Sequence, residues 1–427
     1  MRRRKFLKDT SLAGSAILST SYVPGLFQDQ KLRVGLIGSG WYGMVIAEAG
    51  LEVGGIEVVG VADVDENHLA ESVSKLASIQ GSTPKAFKDY RELLEEPNLD
   101  AIFIGTQPHW HALQFIAACE KGLDIYCEKP LSYDVAEGRA MVAAAQRAGN
   151  FVQIGFQRRK AESLHKVKAM IQEGKIGKVH EVGAQIHFNP TIKDTTPQEP
   201  PSGLDWDAWC GPAPKLDYRP SIGHKSWRLE RAYGNGHLFD WGIHHVDAVR
   251  MMFGLDMPNR FVTSGGMTKL AGQITTPDTL RATMFFDEFP LVWQHRMWGT
   301  GSLDKSLNNG IHIYGEDATV FVSDRHLRVL SNAKDAELEV HEVSAGTIRQ
   351  DMMRDFILAV QKQDKGLISC PIEEGASSTA CVQLSMISYY SNSDVDWDQA
   401  THTISNNNEE ASKLLARPYR EGYTRPS

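Results

Sequence analysis

The stretch VGLIGSGWYGMVIAEAG, residues 34–50, restricts the possible folds of this chain more than any other. An apolar run that reads as a β-strand leads into Gly38-Ser39-Gly40-Trp41-Tyr42-Gly43, and a helical pattern follows. G-x-G-x-x-G alone is a weak signal; between a strand and a helix it acquires a mechanism. The first glycine permits a tight turn. The second lets backbone N–H groups approach a pyrophosphate, and the third lets helix and strand pack closely. The positive end of the helix then stabilises phosphate charge. Gly38, Ser39, Gly40, Trp41, Tyr42 and Gly43 are therefore the first candidate cofactor residues.

The chain around this turn supports the assignment. EVVGVAD, DAIFIGT, DIYCEKP and FVQIGFQ read as further strands. Helical segments such as HALQFIAACEKG and DVAEGRAMVAAAQRAG lie between them. Strand and helix in alternation predict a parallel, doubly wound sheet over residues 31–155. Asp63 closes the second strand, 25 residues after Gly38. A carboxylate there accepts hydrogen bonds from ribose hydroxyls and repels a 2′-phosphate, which favours NAD over NADP. Asp65 is a second candidate, and a plain turn-capping role fits Asp63 as well.

Beyond residue 156 the pattern changes. VHEVGAQIHF, NRFVTSGGM, LRATMFFD, PLVWQHRMWG, GIHIYGE and ATVFVS read as strands, rich in β-branched and aromatic residues. They predict a large, open, mostly antiparallel sheet. With the helices KVKAMIQEGKIGK, IRQDMMRDFILAVQKQ and EEGASSTACVQLSMISYYSN they make residues 156–427 an α+β domain for substrate binding, catalysis and oligomerisation. An irregular segment from about Asn189 to Asn235 is rich in Pro, Trp and Gly, and a loop that long in a compact domain is usually functional.

Two further clusters carry chemistry. CEKP places Glu128 and Lys129 at the carboxyl end of a parallel strand, where ligands of such sheets bind. A lysine there can donate to a substrate hydroxyl and stabilise a developing alkoxide; a solvated turn lysine is the alternative. In GNGHLFDWGIHHVDAV, Asp240 and His244 stand at i and i+4, so on an α-helix they share a face. A carboxylate beside an imidazole orients it and raises its basicity, which suits removal of a hydroxyl proton as hydride leaves the same carbon. The pair also fits a core hydrogen bond, and His237, Asp240, His244 and His245 together could ligate a metal, although the spacing is not of the H-E-x-x-H type. GTQPHWHA follows another strand end and would line the cofactor cleft with Thr106, His109, Trp110 and His111.

The amino terminus has its own pattern. Arg3-Arg4-Lys5-Phe6-Leu7-Lys8, followed by SLAGSAILS, resembles a twin-arginine export signal over residues 1–30. Such a signal carries folded cargo, as a protein loaded with a cytoplasmic dinucleotide requires, and implies a periplasmic destination. No apolar run is long enough to span a bilayer. A net charge of −8 argues against nucleic acid. The five cysteines show no disulfide or zinc spacing and read as buried apolar side chains.

In order along the chain, GSGWYG, ADVD (62–65), TQPHWHA (106–112), EKP (128–130), GFQRR (155–159) and GHLFDWGIHHVD (236–247) resemble the glucose–fructose oxidoreductase/inositol dehydrogenase (Gfo/Idh/MocA) family. The match covers almost all of the chain after the signal, with Gln107 replacing a common proline. The resemblance implies a Rossmann domain joined to an α/β domain, with Lys129, Asp240 and His244 in the catalytic positions and His244 as the acid/base. It implies that Gln157 and Arg158 approach the nicotinamide and substrate, joining Thr106, His109 and Glu128 as cofactor candidates at the strand ends. It places Trp110, His111, Arg158, Trp227, Arg228 and His245 on the substrate side. It also implies a homodimer or homotetramer.

The function expected is NAD-dependent hydride transfer between a tightly bound cofactor and a hydroxyl of a sugar, glycoside or polyol, with no metal. An NAD-dependent glycosidase is the alternative, and a non-catalytic sugar sensor a second one.

Overall fold

The computed structural model describes residues 30–344, 346–406 and 408–426. The export-signal reading falls on residues 1–30, of which 1–29 lie outside the described residues. Six parallel strands form the amino-terminal sheet: β1 (Leu32–Ile37), β2 (Ile56–Ala62), β3 (Lys85–Phe87), β4 (Ala101–Ile104), β5 (Asp124–Cys127) and β6 (Val152–Ile154). Their order is β3-β2-β1-β4-β5-β6. The order reverses between β1 and β4, and a crevice opens there beyond the carboxyl ends of the strands. β4 is buried along its whole length, as expected of a strand covered by helices on both faces.

The helices of this half are α1 (Trp41–Val53), α2 (Glu66–Gln80), α3 (Tyr90–Leu93), α4 (Pro108–Glu120) and α5 (Val135–Ala148). Two glycines are essential to the first turn. Gly38 has φ of +83°, and a Cβ on Gly43 would lie 1.8 Å from the Gly38 carbonyl oxygen. Only glycine permits that approach of helix to strand.

The second sheet has ten strands: β7 (Val179–His187), β8 (Arg260–Gly266), β9 (Thr279–Phe285), β10 (Pro290–Arg296), β11 (Asn309–Gly315), β12 (Ala318–Val322), β13 (Leu327–Ser331), β14 (Leu338–His341), β15 (Val395–Asp398) and β16 (Thr403–Ile404). The order is β14-β13-β12-β11-β7-β10-β9-β8-β15-β16. β7 and β10 run parallel; the other neighbours are antiparallel. Helices α6 (Glu162–Gln172), α7 (Trp206–Cys210), α8 (Ile243–Phe253), α9 (Ile348–Lys362) and α10 (Ile372–Ser391) complete the architecture. α6, α8 and α10 pack with one another and against the sheet, while α9 lies on α1 and α10 on α5. One contiguous apolar core therefore runs through both halves. The long segment carries its own small core, in which Trp206 stacks on Trp209 at 4.5 Å beside Cys210 and Tyr233. All five cysteines are free and buried.

A buried polar joint ties the chain just after β6 to α8 and α10. Arg159, just after β6, donates through Nε to Asp247 Oδ2 at 2.9 Å and through Nη2 to Oδ1 at 2.7 Å. Ser378 Oγ of α10 donates to the same carboxylate at 2.8 Å and accepts from Arg250 at 2.7 Å. A planar guanidinium matched to a carboxylate is the strongest form of such a pair. Removing one partner of a buried pair costs about 3–5 kcal/mol, because the other charge is stranded. Asp247→Ala is therefore expected to lower the urea midpoint of unfolding by that amount of stability, and an unchanged midpoint would show that the joint contributes little.

Candidate active site

The functional side chains gather at the carboxyl ends of the parallel strands. β1 delivers the glycine turn, β2 Asp63, β4 Thr106, β5 Glu128 and Lys129, and the β6 end Gln157 and Arg158. Gly40 caps α1 without any side-chain bond to the helix amides, so the helix start is left open for an anion. A Cβ placed on Gly40 would meet only His68 Nδ1, at 3.9 Å. That open cradle fits the diphosphate of a dinucleotide.

Asp63 is tied into the same turn. Its Oδ2 accepts from the Ser39 amide at 2.7 Å and the Ser39 hydroxyl at 3.1 Å, and its Oδ1 from the Asp65 amide at 2.9 Å. Ser39 thus spends both its donors on Asp63. Burial pushes the Asp63 carboxyl up, against the pull of these bonds. Asp65 caps α2 through Oδ1 and turns Oδ2 to His224 at 2.8 Å.

The two halves meet at Lys129. Its Nζ donates to the main-chain oxygen of Asp240 at 2.7 Å and to Asp240 Oδ1 at 3.1 Å. Arg228 Nε stands 3.1 Å from Asp240 Oδ2. Burial alone would raise the Asp240 carboxyl, but Lys129 and Arg228 outweigh it and hold it down at about 2. The turn after Lys129 is fixed from the other half: the Leu131 amide donates to Thr379 Oγ1 at 3.1 Å, and Gln383 Nε2 to the Ser132 carbonyl at 3.1 Å.

The Asp240–His244 hydrogen bond read from the i,i+4 spacing does not form. Residues Leu238–Gly242 make a π-helical turn ahead of α8, so α-helical spacing does not govern the pair. The Asp240 oxygens go to the two cations instead. Among the described residues no hydrogen bond reaches His244; its Nδ1 is closed off from solvent and Nε2 is the ring nitrogen left accessible. Its ring meets Phe156 edge-on at 6.3 Å. Burial, then Lys129, Arg158 and His245, push its proton affinity well below the ordinary histidine value. His244 is consequently neutral at pH 7 and free to accept a proton.

Around these groups Gln157 Nε2 donates to the Tyr42 hydroxyl at 2.9 Å. Glu128 is buried; its Oε2 accepts from the Lys129 amide at 3.1 Å, Oε1 has no partner, and burial pushes the carboxyl up to about 8. A Cβ on Gly155 would lie 2.4 Å from Oε1, so glycine makes room for that carboxyl. Trp41, at the head of α1, is 54% exposed and lies under Lys225 Nζ at 5.4 Å and the Arg228 guanidinium at 5.9 Å. Arg228 also covers the Trp227 ring at 4.5 Å. The long segment thereby reaches over the phosphate turn.

Four expected cleft residues lie elsewhere. His109 Nε2 is bonded to the Trp209 carbonyl at 3.0 Å, and burial pushes the ring down to about 3. Trp110 Nε1 donates to the carbonyls of Ala208 and Trp209, each at 3.1 Å. His111 sits between the Pro130 carbonyl (2.9 Å from Nδ1) and the Thr106 carbonyl (3.0 Å from Nε2) and donates its one N–H to one of them. These three side chains satisfy backbone groups inside the protein instead of lining the cleft, and His111 braces the turn that carries Lys129. His245 is 1% exposed, with Nε2 3.2 Å from Arg158 Nη1 and its ring against Trp293. It supports Arg158, which reaches out over the exposed ring of Trp241 at 5.9 Å. Thr106 borders the turn, its methyl 2.7 Å from a Cβ on Gly38, and gives its hydroxyl to Gln114. His237, Asp240, His244 and His245 do not bring ligand atoms together for a metal; among the described residues the one grouping that does is Asp65, His68 and His224. Sequence reasoning missed Trp241 and His224, whose partners come from other segments.

Comparison with known proteins places the fold and the family. The profile described as "Oxidoreductase family, NAD-binding Rossmann fold" matches residues 32–156, and its "C-terminal alpha/beta domain" matches residues 168–396. The myo-inositol 2-dehydrogenase of Thermotoga maritima is 25% identical over 70% of this chain and 75% of its own length. Matches to several further curated relatives span about half to two thirds of their length. A levoglucosan dehydrogenase structure in complex with NADH and levoglucosan superposes with TM-score 0.66 at 19% identity, over 86% of this chain and 99% of the other. An aldose-aldose oxidoreductase from Caulobacter crescentus complexed with glycerol gives 0.65 at 16%, over 86% and 100%. At these identities the structural likeness shows the fold; the family is shown by the two profiles. The chain belongs to the Gfo/Idh/MocA oxidoreductase family, with an NAD-binding Rossmann domain followed by the family's α/β domain.

Proposed function

We propose that this protein is an NAD-dependent dehydrogenase acting on a hydroxyl of a sugar, glycoside or polyol. The observation that carries the reading is the meeting of Lys129, from the Rossmann half, with Asp240 beside an unbonded, neutral His244 from the other half. NAD bound in the crevice would supply the hydride acceptor. The open start of α1 would hold its diphosphate, and Asp63 at the end of β2 favours a free ribose over a 2′-phosphate. The names of similar proteins, an inositol dehydrogenase and a levoglucosan dehydrogenase among them, agree with a polyhydroxy substrate.

The residues divide the work. Lys129 Nζ donates to the oxygen that is oxidised and steadies its negative charge. His244 takes the hydroxyl proton at its accessible nitrogen. Asp240 holds Lys129 and Arg228 in place and carries no proton near neutral pH. Arg158 and Arg228 donate to neighbouring hydroxyls, and Trp227 offers a face to the C–H side of a sugar.

The same reading places the protein in the periplasm, exported folded by the twin-arginine route with its cofactor aboard, since Arg3-Arg4-Lys5-Phe6-Leu7-Lys8 heads the chain. It also makes the protein a homodimer or homotetramer through the open sheet face, where Tyr314, Leu330 and Leu338 lie in one cross-strand row and are all exposed.

Gently denatured protein should release NAD or NADH, detected by mass spectrometry, and a panel of sugars should give a keto-sugar with a change in nicotinamide absorbance. A free reducing sugar with unchanged cofactor would make the enzyme a glycosidase, and no turnover of any member would make it a sensor. Lys129→Ala and His244→Ala should each lower kcat by about 10²–10⁴-fold while the folded protein keeps its cofactor. Untouched turnover in both would remove the assigned roles.

The acid/base assignment has a separate readout. Lys129 is among the causes that depress His244, so deleting its charge raises the histidine's proton affinity. In Lys129→Met, the His244 ring should titrate closer to the ordinary histidine value when followed by NMR. A ring that titrates at the same pH in both proteins would show that Lys129 exerts no field on it.

A further inference from the structure

Beside the phosphate turn, three side chains from two distant parts of the chain converge on one point. Asp65 is 4% exposed. Its Oδ1 accepts from the amides of Asn67 at 2.9 Å and His68 at 3.3 Å, which fixes the carboxylate and aims Oδ2 away from α2. Oδ2 lies 2.8 Å from His224 Nε2 and 3.9 Å from His68 Nδ1. All three ligand atoms lie within 4.8 Å of one another. Atoms bonded at about 2.0–2.1 Å around a tetrahedral zinc ion sit roughly 3.3 Å apart, so the observed spacing needs only small side-chain adjustments to close on an ion.

His68 Nδ1 supplies a second, independent sign. It is closed off from solvent and has no hydrogen-bond partner. A buried polar atom without a partner is costly, and an ion at this point would satisfy it. The frame around it is fixed from both sides. Asp65 pairs with Leu204 in an antiparallel bridge, the Glu66 amide donates to the Gly203 carbonyl at 2.9 Å, and the Asp205 amide donates to the Val64 carbonyl at 3.0 Å.

We propose that Asp65 Oδ2, His68 Nδ1 and His224 Nε2 form a site for a divalent transition-metal ion, zinc by its ligand set, at the seam between the β2–α2 turn and the long irregular segment. Two imidazole nitrogens and one carboxylate oxygen are a known zinc combination, and three protein ligands leave a fourth position open. On binding, the ion takes the place of the proton between His224 Nε2 and Asp65 Oδ2, and that proton moves to Nδ1, so the ring stays neutral with its one proton on the other nitrogen. The site lies beside the phosphate turn, where a Cβ on Gly40 would stand 3.9 Å from His68 Nδ1. Water would fill the fourth position in the free protein. On the cofactor reading above, a diphosphate oxygen takes it in the loaded one, so the ion would clasp the long segment over the dinucleotide.

The test uses the untagged full chain, stripped with a chelator and titrated with zinc by calorimetry and with cobalt(II) by visible absorption. One equivalent of each should bind, with cobalt giving the strong visible bands of a four-coordinate site. Loss of an outer support already costs on the order of 10–100-fold in metal affinity, so His68→Ala and His224→Ala should each weaken binding by at least that factor. His224→Gln keeps an amide donor for Asp65 and should bind as weakly as His224→Ala while melting like the parent protein. No stoichiometric binding to the parent, or undiminished binding in His68→Ala and His224→Ala, would overturn the site. Saturating NAD should tighten zinc binding, and an unchanged zinc Kd would overturn the diphosphate contact. A chain that binds zinc but no NAD would remove the cofactor reading and leave the metal site standing.

Discussion

The contact on which the site depends is the one between Lys129 and Asp240. It spans 111 residues of sequence and joins the tip of a parallel strand to the turn that begins α8. Both groups are mostly withdrawn from water, at 12% and 15% side-chain exposure. In such a place an unpaired ammonium or carboxylate would be expensive, so the pair forces the halves into one register. The lysine also bonds the main-chain oxygen of Asp240, which fixes the turn as well as the charge. Arg228 then adds a third segment, the long loop, to the same carboxylate. Three separate parts of the chain are thereby held around one crevice.

The buried joint between Arg159 and Asp247 makes this possible from below. It anchors the end of β6 to α8 and α10, and α10 in turn holds the turn that follows Lys129. The Lys129–Asp240 contact is partly open to solvent. The structural joint is mostly buried, with Glu374 at its half-exposed edge also facing Arg159 at 3.2 Å. The bonded joint sits behind the site, and the more exposed groups, Trp41 and Trp241, sit in front of it with Trp227 and Arg228.

Much of this was legible in the sequence because it depends on local rules. Strand ends carry the ligand-binding turns, so Asp63, Thr106 and Lys129 could be placed from periodicity, Gly38 from its glycine motif, and Gln157 from the family resemblance. The family profiles bear out the Rossmann half and the α/β half that followed from the same pattern. What could not be read depends on contacts far apart in sequence. Nothing in PHWHA says that His109 and Trp110 will bond to the carbonyls of residues about a hundred positions away. Polar aromatic residues near a ligand cleft look alike whether they face it or brace it. The i,i+4 argument for Asp240 and His244 failed for a related reason. It assumed α-helical geometry and an unoccupied carboxylate, and the chain supplied a π turn and two cations.

That outcome changes the electrostatics of the proposed reaction. A carboxylate bonded to His244 would favour the imidazolium and make the ring the stronger base. Here the ring faces Lys129 and Arg158 without a compensating anion of its own. Glu128, the nearest other acid on this strand end, is pushed up to about 8 by burial and so is largely protonated at pH 7. Asp240 is the ionised group present, and two cations share it. The field in the crevice is therefore positive. It opposes a proton resting on His244 and favours negative charge on a substrate oxygen held by Lys129. The site is better matched to an oxygen that has lost its proton than to a histidine that has gained one. The imidazole then serves as a brief stop for the proton, and stabilisation of the alkoxide by Lys129 becomes the larger share of the catalytic effect.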